Sequence, residues 1–280
     1  MDYDIRTMTK EEARVALDWA ADEGWNPGLG DLEPFYASDP DGFFVAMKGN
    51  EPIGCVSAID YDHEFGFIGF FIVKAPYRGH RVGIDLGKRA MVHLEDRNIG
   101  VDGVEAKIKN YRKYGFKLAY NNVRYEGVTA YPQPAAPTVN LKEEVSFFDI
   151  LTYDTRHFPA PRPGFLSMWI NPEGGAALGV LRDGALAGYG VIRPCRSGYK
   201  IGPLFADDPD IAETLFLALS ATVAPNAPVY LDIPAVNPKA QWLVDKYRLK
   251  PVFKTARMYN REFPALPLEN IFGVTSFELG

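Results

Sequence analysis

Apolar and polar positions follow one another in blocks that predict alternating helices and strands. After Thr9, a suitable helix N-cap, apolar residues recur at helical spacing from Lys10 to Glu23. A second, short helix is predicted over residues 32–36. Three apolar runs follow, over residues 43–47, 53–59 and 65–73. Because Gly49-Asn50 and a polar stretch separate them, the runs predict an antiparallel meander.

The pattern then returns to helical spacing. Leu86, Ala90 and Leu94 lie four residues apart and predict a helix over residues 84–94. After Asp102-Gly103, another short helix runs toward Tyr114. Two short strands, over residues 116–120 and 123–125, are predicted to close this first sheet.

A proline-rich stretch separates this first region from a partial repeat of it. Residues 131–141 contain three prolines among small residues and predict an extended linker. Beyond it we expect helices near Phe147 and Phe165, a helix after residue 205, and another over residues 237–247. The expected strands are residues 177–181, 187–192, 199–205, 229–233, 252–259 and 274–277. The sequence therefore predicts two domains, residues 1–130 and 142–280, joined by the 131–141 linker.

Composition narrows the possible functions. The chain has 280 residues, of which 47% are hydrophobic and 24% charged, as in ordinary globular proteins. Its formal net charge of -6 argues against nucleic acid as a partner. Cys55 and Cys195 have no metal-ligand spacing, so no metal is expected. Neither a signal peptide nor a membrane span is indicated, and we expect a cytoplasmic protein.

The candidate chemistry lies in the loop that joins the run 65–73 to the next helix. Consecutive backbone N–H groups meet a helix N-terminus here, a geometry that binds phosphate. Gly79 and Gly83 let the backbone approach an anion closely. Nearby positive or donor side chains are Arg78, His80 and Arg81. The loop has neither the mononucleotide P-loop pattern nor the Rossmann glycine pattern. The alternative to a phosphate site is that the two glycines only shape a turn and that the arginines are solvated surface residues.

Two segments resemble the GNAT (Gcn5-related N-acetyltransferase) superfamily. Its pyrophosphate loop follows a strand and has Gln or Arg, then glycine three residues later, then Gly or Ala two residues further. Arg78 and Gly83 take the first and last of these places, whereas Arg81 stands where the middle glycine is usual. Residues 110–116 resemble the closing helix-to-strand segment, with Tyr111 at the position of the family's tyrosine. Both matches occur in the family's order.

The resemblance implies a fold of two tandem GNAT-like domains, each a mixed, mainly antiparallel α/β (α+β) sheet flanked by helices. The ending, residues 272–280, further resembles the YitH-like group of tandem GNAT proteins. In the second domain, residues 199–210 carry three acids and no glycine-arginine cradle. Val244 and Arg248 stand in the places of the tyrosine and the following glycine. We therefore interpret the second domain as degenerate.

The resemblance also implies the reaction. An amine of a small molecule attacks the acyl group of acetyl-CoA directly, with no metal involved. Cofactor binding is expected at the following residues: Ile72, Val73, Arg78, Gly79, His80, Arg81, Val82, Gly83 and Asn110. An acidic protein suits a cationic acceptor.

Catalytic candidates follow from the same motif. Tyr111, with a phenol pKa near 10, is expected to protonate the departing thiolate in a nearly thermoneutral transfer; packing beside Phe116 is its alternative role. Asp102 is the first candidate for the base that the attacking amine needs, ahead of Glu105 and the acids of the polar hairpin 60–64. Trp25 is expected either to contact the acceptor or to cap the core.

Two other functions stay open at this stage. The same fold could use another acyl donor, or the protein could be a non-catalytic acyl-CoA-binding sensor or partner module. Turnover distinguishes the sensor from the enzyme, because binding alone fits both.

Overall fold

The computed structural model describes residues 2–280. In the first half, the strands are β1 (Asp4–Thr7), β2 (Phe43–Lys48), β3 (Glu51–Asp60), β4 (Phe65–Val73), β5 (Asn98–Val104) and β6 (Lys117–Val128). The helices are α1 (Lys10–Asp22), α2 (Leu32–Ser38), α3 (Val82–His93) and α4 (Ile108–Lys113). The order of these elements agrees with the apolar pattern.

The second half repeats this order after additional helices. Its strands are β7 (Val139–Asn140), β8 (Ala176–Arg182), β9 (Ala185–Pro194), β10 (Tyr199–Ala206), β11 (Pro228–Pro234), β12 (Lys250–Tyr259) and β13 (Ile271–Gly273). Its helices are α5 (Leu141–Glu144), α6 (Phe147–Thr155), α7 (Pro163–Trp169), α8 (Pro209–Ala221) and α9 (Pro238–Lys246). Across residues 2–280, every helix is too short or too polar to cross a lipid bilayer.

The two halves share one sheet because they exchange strands. The strand order is β1-β2-β3-β4-β5-β12-β6-β11-β10-β9-β8-β7, with β13 paired to β10. Strand β12 of the second half therefore lies between β5 and β6, and β6 of the first half lies between β12 and β11. The central pair, β6 and β12, is antiparallel. Neither half has a complete sheet of its own.

Local signals explain the start of the first helix. The Thr9 hydroxyl accepts a hydrogen bond from the Glu12 N–H at 3.3 Å, and the Glu12 carboxylate accepts one from the Thr9 N–H at 2.9 Å. This reciprocal capping satisfies two N–H groups that the helix leaves free. The apolar side of α1, including Ala13 and Leu17, is buried. The predicted N-cap is thereby confirmed.

One hydrophobic cluster spans both halves. Phe35 of α2 stacks on Phe165 and Trp169 of α7, with ring centroids 6.4 and 5.7 Å apart. The same cluster contains residues of α1, α6 and the segment 274–280. The opposite face of the first half's sheet is covered by α3 through Val82, Leu86 and Ala90. Helices of both halves therefore enclose the face that α3 does not cover.

Two sequence-based predictions of strands were wrong. Residues 117–128 form one strand rather than two, because the polar Asn121-Asn122 pair lies inside the sheet and does not turn. The strand predicted at 274–277 lies instead at 271–273, where β10 offers a free edge. Within the predicted linker, Val139 and Asn140 pair with β8.

Candidate active site

A gap between β4 and β5 is the main feature of the first half. These parallel strands pair only from Phe65 and Asn98 to Ile68 and Val101. Beyond that point β4 stays paired to β3, and β5 stays paired to β12. The strands therefore diverge, and Ile72 and Val73 lie on the β4 side of the opening.

Strand β4 is distorted where the gap begins. Phe70 has φ of 44°, a conformation that bulky residues rarely adopt. The register with β3 shifts between Cys55 and Ser57, as at a β-bulge. Such strain costs about 1–3 kcal/mol and is typical of functional sites. The bulge turns the end of β4 away from β5.

The N-terminus of α3 lies beside the end of β4 and is open. No acceptor among residues 2–280 bonds the backbone N–H groups from Gly79 to Ile84. The first bonded N–H of the helix is that of Asp85, which donates to the Arg81 carbonyl at 3.1 Å. Free N–H groups at a helix N-terminus attract anions. The arrangement can therefore hold phosphate groups next to the gap.

The two glycines keep this region accessible in different ways. Gly79 has φ of 82°, which a residue with a side chain rarely adopts. A Cβ at Gly83 would lie 3.6 Å from Val73 Cγ2, an ordinary contact. Packing therefore does not require glycine at position 83, although the missing side chain leaves the helix start uncovered.

The basic side chains of the loop point in different directions. Arg78 Nε donates to the Val73 carbonyl at 2.7 Å, and its guanidinium contacts Glu23. Arg78 thus lies at the end of β4. Arg81 is 72% exposed and bonds Asp85 of α3 at 3.1 Å, while His80 is exposed. Arg78 therefore lies nearer to the gap than the exposed end of Arg81.

Tyr111 lies against the β5 side of this region. A Cβ on Gly103 of β5 would be 2.7 Å from the tyrosine ring, so the ring needs glycine there. The ring also meets Phe116 edge-on, with centroids 5.9 Å apart. Within the described chain its hydroxyl has no hydrogen-bond partner. The next residue back, Asn110, is exposed on α4. Tyr111 therefore packs beside Phe116 and also keeps a free hydroxyl.

The surroundings of Tyr111 make it a weaker acid than the sequence suggested. Burial, followed by the negative charge of Asp102, raises the pKa of Tyr111 to about 12. Proton transfer to a thiolate of thiol pKa ~8.5 is therefore uphill unless the cleft also raises the thiol pKa. Burial of the thiolate acts in that direction. The phenol remains protonated at neutral pH.

The Asp102 carboxylate forms an ion pair with Arg257. The carboxylate is fully buried and accepts hydrogen bonds from Arg257 Nε at 3.0 Å and Nη2 at 2.6 Å. Asn122 donates a further bond at 2.9 Å. The oxygens of this carboxylate are therefore already engaged by donors from β6 and β12. The structure thus gives Asp102 a clear role in joining β5 to β12, and a role as base would require breaking this pair.

The other acids suggested by the sequence lie in polar turns. Asp60 pairs with Arg97 at 2.5 Å, and Asp62 accepts bonds from the N–H groups of the hairpin turn it starts. Glu105 is 74% exposed and lies 3.8 Å from Lys254. Asp60 and Asp62 therefore belong to a solvated hairpin, and Glu105 belongs to a surface ion pair.

Trp25 lies in a loop that contacts the second half. Its carbonyl accepts a hydrogen bond from Arg124 Nη1 at 2.6 Å, and its half-buried ring packs on the shared cluster. The next residue, Asn26, accepts a bond from Lys200 Nζ at 2.9 Å through its carbonyl. The loop is therefore fixed to β6 and β10.

A row of buried polar side chains across the central strands was not predicted from the sequence. Arg124 forms a bidentate pair with Asp232, with both distances 2.7 Å, and Arg193 pairs with Asp31 at 2.8 Å. With Lys200, these residues lie under the loop 25–31 and the segment 274–280. The available signal was a polar residue at every second position of a strand, as in Asn122-Val123-Arg124.

A splayed pair of parallel strands, an open helix N-terminus and a tyrosine beside the gap define a transferase of the acyl-CoA type. Family models confirm this class. The model described as "Acetyltransferase (GNAT) family" matches residues 8–116, and that described as "Acetyltransferase (GNAT) domain" matches residues 150–273. The chain belongs to the GNAT superfamily, with one GNAT domain in each half. It is an acyltransferase, and its family uses acyl-CoA as co-substrate.

Two curated relatives cover most of the chain. Holothin acyltransferase of Pseudoalteromonas sp. (strain SANK 73390) is 29% identical over 96% of this chain and 92% of its own. The uncharacterized N-acetyltransferase YitH of Bacillus subtilis (strain 168) is 27% identical over 81% of each chain. The predicted resemblance to YitH-like tandem GNAT proteins is confirmed.

Solved structures show the same fold. A Pyrococcus horikoshii protein assigned to the acetyltransferases superposes with a TM-score of 0.85 at 22% identity, covering 99% of this chain and 96% of that chain. A tandem GNAT protein from the clavulanic acid biosynthesis pathway gives a TM-score of 0.62 at 14% identity, covering 92% and 98%. At such identities the likeness concerns the fold alone.

Proposed function

We propose that the protein transfers an acetyl group from acetyl-CoA to the primary amine of a small molecule, in the cleft of the first half. The observation that carries the proposal is the open N-terminus of α3 beside the gap between β4 and β5. Anion binding and a passage for the pantetheine arm are thereby adjacent.

The donor site uses residues from one continuous segment. The N–H groups of Gly79, His80, Arg81, Val82 and Gly83 are free to bind the diphosphate, and Arg78 adds positive charge at the end of β4. The backbone of Ile72 and Val73 offers its β5-facing edge to the pantetheine amides. Asn110, exposed on α4, lies on the opposite side of the proposed site.

The proposed reaction is direct transfer. A neutral amine attacks the thioester carbonyl, the C–N bond forms, and the C–S bond breaks. The amine nitrogen loses its proton to water, the thiolate gains one from Tyr111, which is the general acid of the proposal, and the phenolate is reprotonated from water. Because the pKa of Tyr111 is raised to about 12, the phenol is protonated at neutral pH and holds the proton to be transferred.

A second candidate function changes only the acyl group. The relative from Pseudoalteromonas is named an acyltransferase rather than an acetyltransferase, which favours a donor other than acetyl-CoA as the alternative. We also keep as proposals a cytoplasmic location, domains at residues 1–130 and 142–280 with the 131–141 linker, a non-catalytic second domain, and Trp25 as an acceptor contact.

Calorimetric titration of acetyl-CoA and coenzyme A tests the donor site. Gly83→Glu places a carboxylate at the start of α3. A Cβ at position 83 causes no clash there. We expect micromolar binding by the wild type and at least a 100-fold loss in this variant, because like charges repel at close range. Gly30→Glu is the matched control, since Gly30 lies in open space.

Each result has a clear meaning. Equal binding by Gly83→Glu and the control contradicts the proposed phosphate site. A folded wild type that binds coenzyme A but transfers no acetyl group points to another donor.

A further inference from the structure

We propose that the carboxylate of Glu278 forms the subsite that binds the ammonium group of the acceptor. The inference rests on the proposed function, because it names the part of the same cleft that receives the amine. It starts from an unpaired carboxylate inside the protein. Glu278 is 2% exposed, and within residues 2–280 neither of its carboxylate oxygens receives a hydrogen bond.

An unpaired buried carboxylate is costly unless another group satisfies it. Native proteins pair buried polar atoms with protein, water or ligand. No ion pair within 4 Å involves Glu278 in the described chain. The carboxylate therefore has hydrogen-bonding capacity that the protein itself does not use.

Glu278 lies where the gap begins. A Cβ on Gly69 of β4 would be 1.8 Å from the Glu278 carbonyl, so the segment 274–280 packs directly on this residue. Gly69 immediately precedes Phe70, the residue at the bulge. A Cβ on Gly66, three residues earlier, would face Leu94 after α3, whereas Gly69 faces the opposite side of the sheet. The backbone of Glu278 thus borders the gap from the side away from α3.

The charges around Glu278 leave it available. Arg124 and Arg193 face it, but each is paired with its own aspartate, Asp232 and Asp31. Lys200 is also near. Lys200 is the remaining cation near Glu278, but no hydrogen bond joins the two, because the Lys200 ammonium donates to the Asn26 carbonyl.

A further unused acceptor lies beside Glu278. Ser57 Oγ of β3 is buried and has no hydrogen-bond partner among the residues described. Ser57 Oγ lies 3.1 Å from the position of a Cβ on Gly69, beside the Glu278 backbone. A set of oxygen acceptors complements a group with several N–H donors, and an ammonium ion has three.

Calorimetric titration of benzylamine into the coenzyme A-saturated protein at pH 7 tests the subsite. Benzylamine has one ammonium group and no other ionisable group. We expect binding by the wild type, at least tenfold weaker binding by Glu278→Gln, and coenzyme A affinity within twofold of the wild type. Glu269→Gln is the matched control on the exposed surface and should not change either affinity.

Other results overturn the inference. It is wrong if Glu278→Gln binds benzylamine within twofold of the wild type, or if the coenzyme A-saturated wild type binds none. If Glu278→Gln does not fold, Ser57→Ala decides: severalfold weaker benzylamine binding supports the subsite, and unchanged binding overturns it. If coenzyme A does not bind, the donor site is contradicted instead. Benzylamine is then titrated into wild type and Glu278→Gln without coenzyme A, which tests the subsite separately.

Discussion

The two halves of the molecule contain the same divergence of parallel strands, but only one leaves it open. In the second half, β10 and β11 pair from Tyr199 and Val229 to Ile201 and Leu231, and the register of β10 then shifts. Strand β13 pairs with β10 at Leu204 and Phe205 and fills the space. In the first half, the gap between β4 and β5 receives no such strand. A fold that creates a binding gap can therefore also close it with its own chain.

The helix that follows each gap differs in the same sense. At the start of α8, Asp208 accepts a hydrogen bond from the Ile211 N–H at 3.0 Å and also contacts Arg182. This carboxylate occupies the place that phosphate would take in the first half. The start of α3 has no such cap. The N-terminus of α8 is thus capped by an acid, whereas that of α3 has free N–H groups that can accept an anion.

A third difference concerns the tyrosine. Gly115 after α4 and Arg248 after α9 both have positive φ, 88° and 55°, so the two helices end alike. At the position of Tyr111, however, the second half has Val244, which is fully buried. The second half keeps the backbone of this segment and lacks a proton donor there.

The largest effect should follow from separating the halves. Residues 1–141 alone lack β11 and β12, so β6 loses both neighbours, β5 keeps only β4, and the exposed edges favour aggregation. We expect this fragment to be insoluble or unfolded by circular dichroism, whereas the full chain unfolds cooperatively. A soluble, cooperatively folded fragment would show that the exchanged strands are dispensable.

Removing the tyrosine hydroxyl should affect chemistry and spare binding. Tyr111→Phe is expected to lower kcat about 10²–10⁴-fold, the range for general acid catalysis, without changing coenzyme A affinity. Tyr114→Phe, at an exposed tyrosine of the same segment, is the control. The acid form of Tyr111 is lost only as pH rises through about 12, so its contribution should stay constant from pH 7 to 10. Unchanged kcat in Tyr111→Phe contradicts the assignment.

The ion pair between the halves should contribute strongly to stability. Asp102→Asn leaves the Arg257 guanidinium buried without a charge partner, and we expect a loss of about 3–5 kcal/mol in the free energy of unfolding. Asp102→Asn combined with Arg257→Met should recover most of it. Chemical denaturation measures both, and a double variant as unstable as the single one would argue against the pair as the cause.

The smallest effect should come from the closed helix start. Asp208→Ala removes the cap of α8 and should cost about 1 kcal/mol in the free energy of unfolding. Acyl-CoA affinity and turnover should not change, because this helix lies beside the filled gap. An altered affinity would mean that the second half takes part in donor binding.

The sequence was informative where structure depends on neighbours in the chain. The capping of α1, the loop before α3 and the position of Tyr111 all rest on short patterns, and each was recognisable. Strand exchange was not, because β5 and β12 pair across about 150 residues with no local signal. The prediction of two strands in place of β6 was wrong for the same reason. Asn122 and Arg124 are polar residues whose partners lie elsewhere in the chain.

The candidate base shows the same limit. Asp102 was chosen by its nearness to Tyr111 in the chain, and its pair with Arg257 could be seen only in three dimensions. Glu278 lies more than 160 residues from Tyr111, and no spacing rule connects them. The feature that identifies Glu278 is a buried carboxylate without a hydrogen-bond partner among the residues described.

The exchange of strands also sets an order on biosynthesis. When β6 leaves the ribosome, its neighbours β11 and β12 are not yet made, and β12 ends about 130 residues later. At translation rates of about 5–20 residues per second, the nascent first half waits on the order of 10 s with unpaired strand edges. Chaperone binding or fast elongation downstream of β6 would limit the exposure of these edges. The central sheet of this enzyme can therefore be completed only after β12 has emerged.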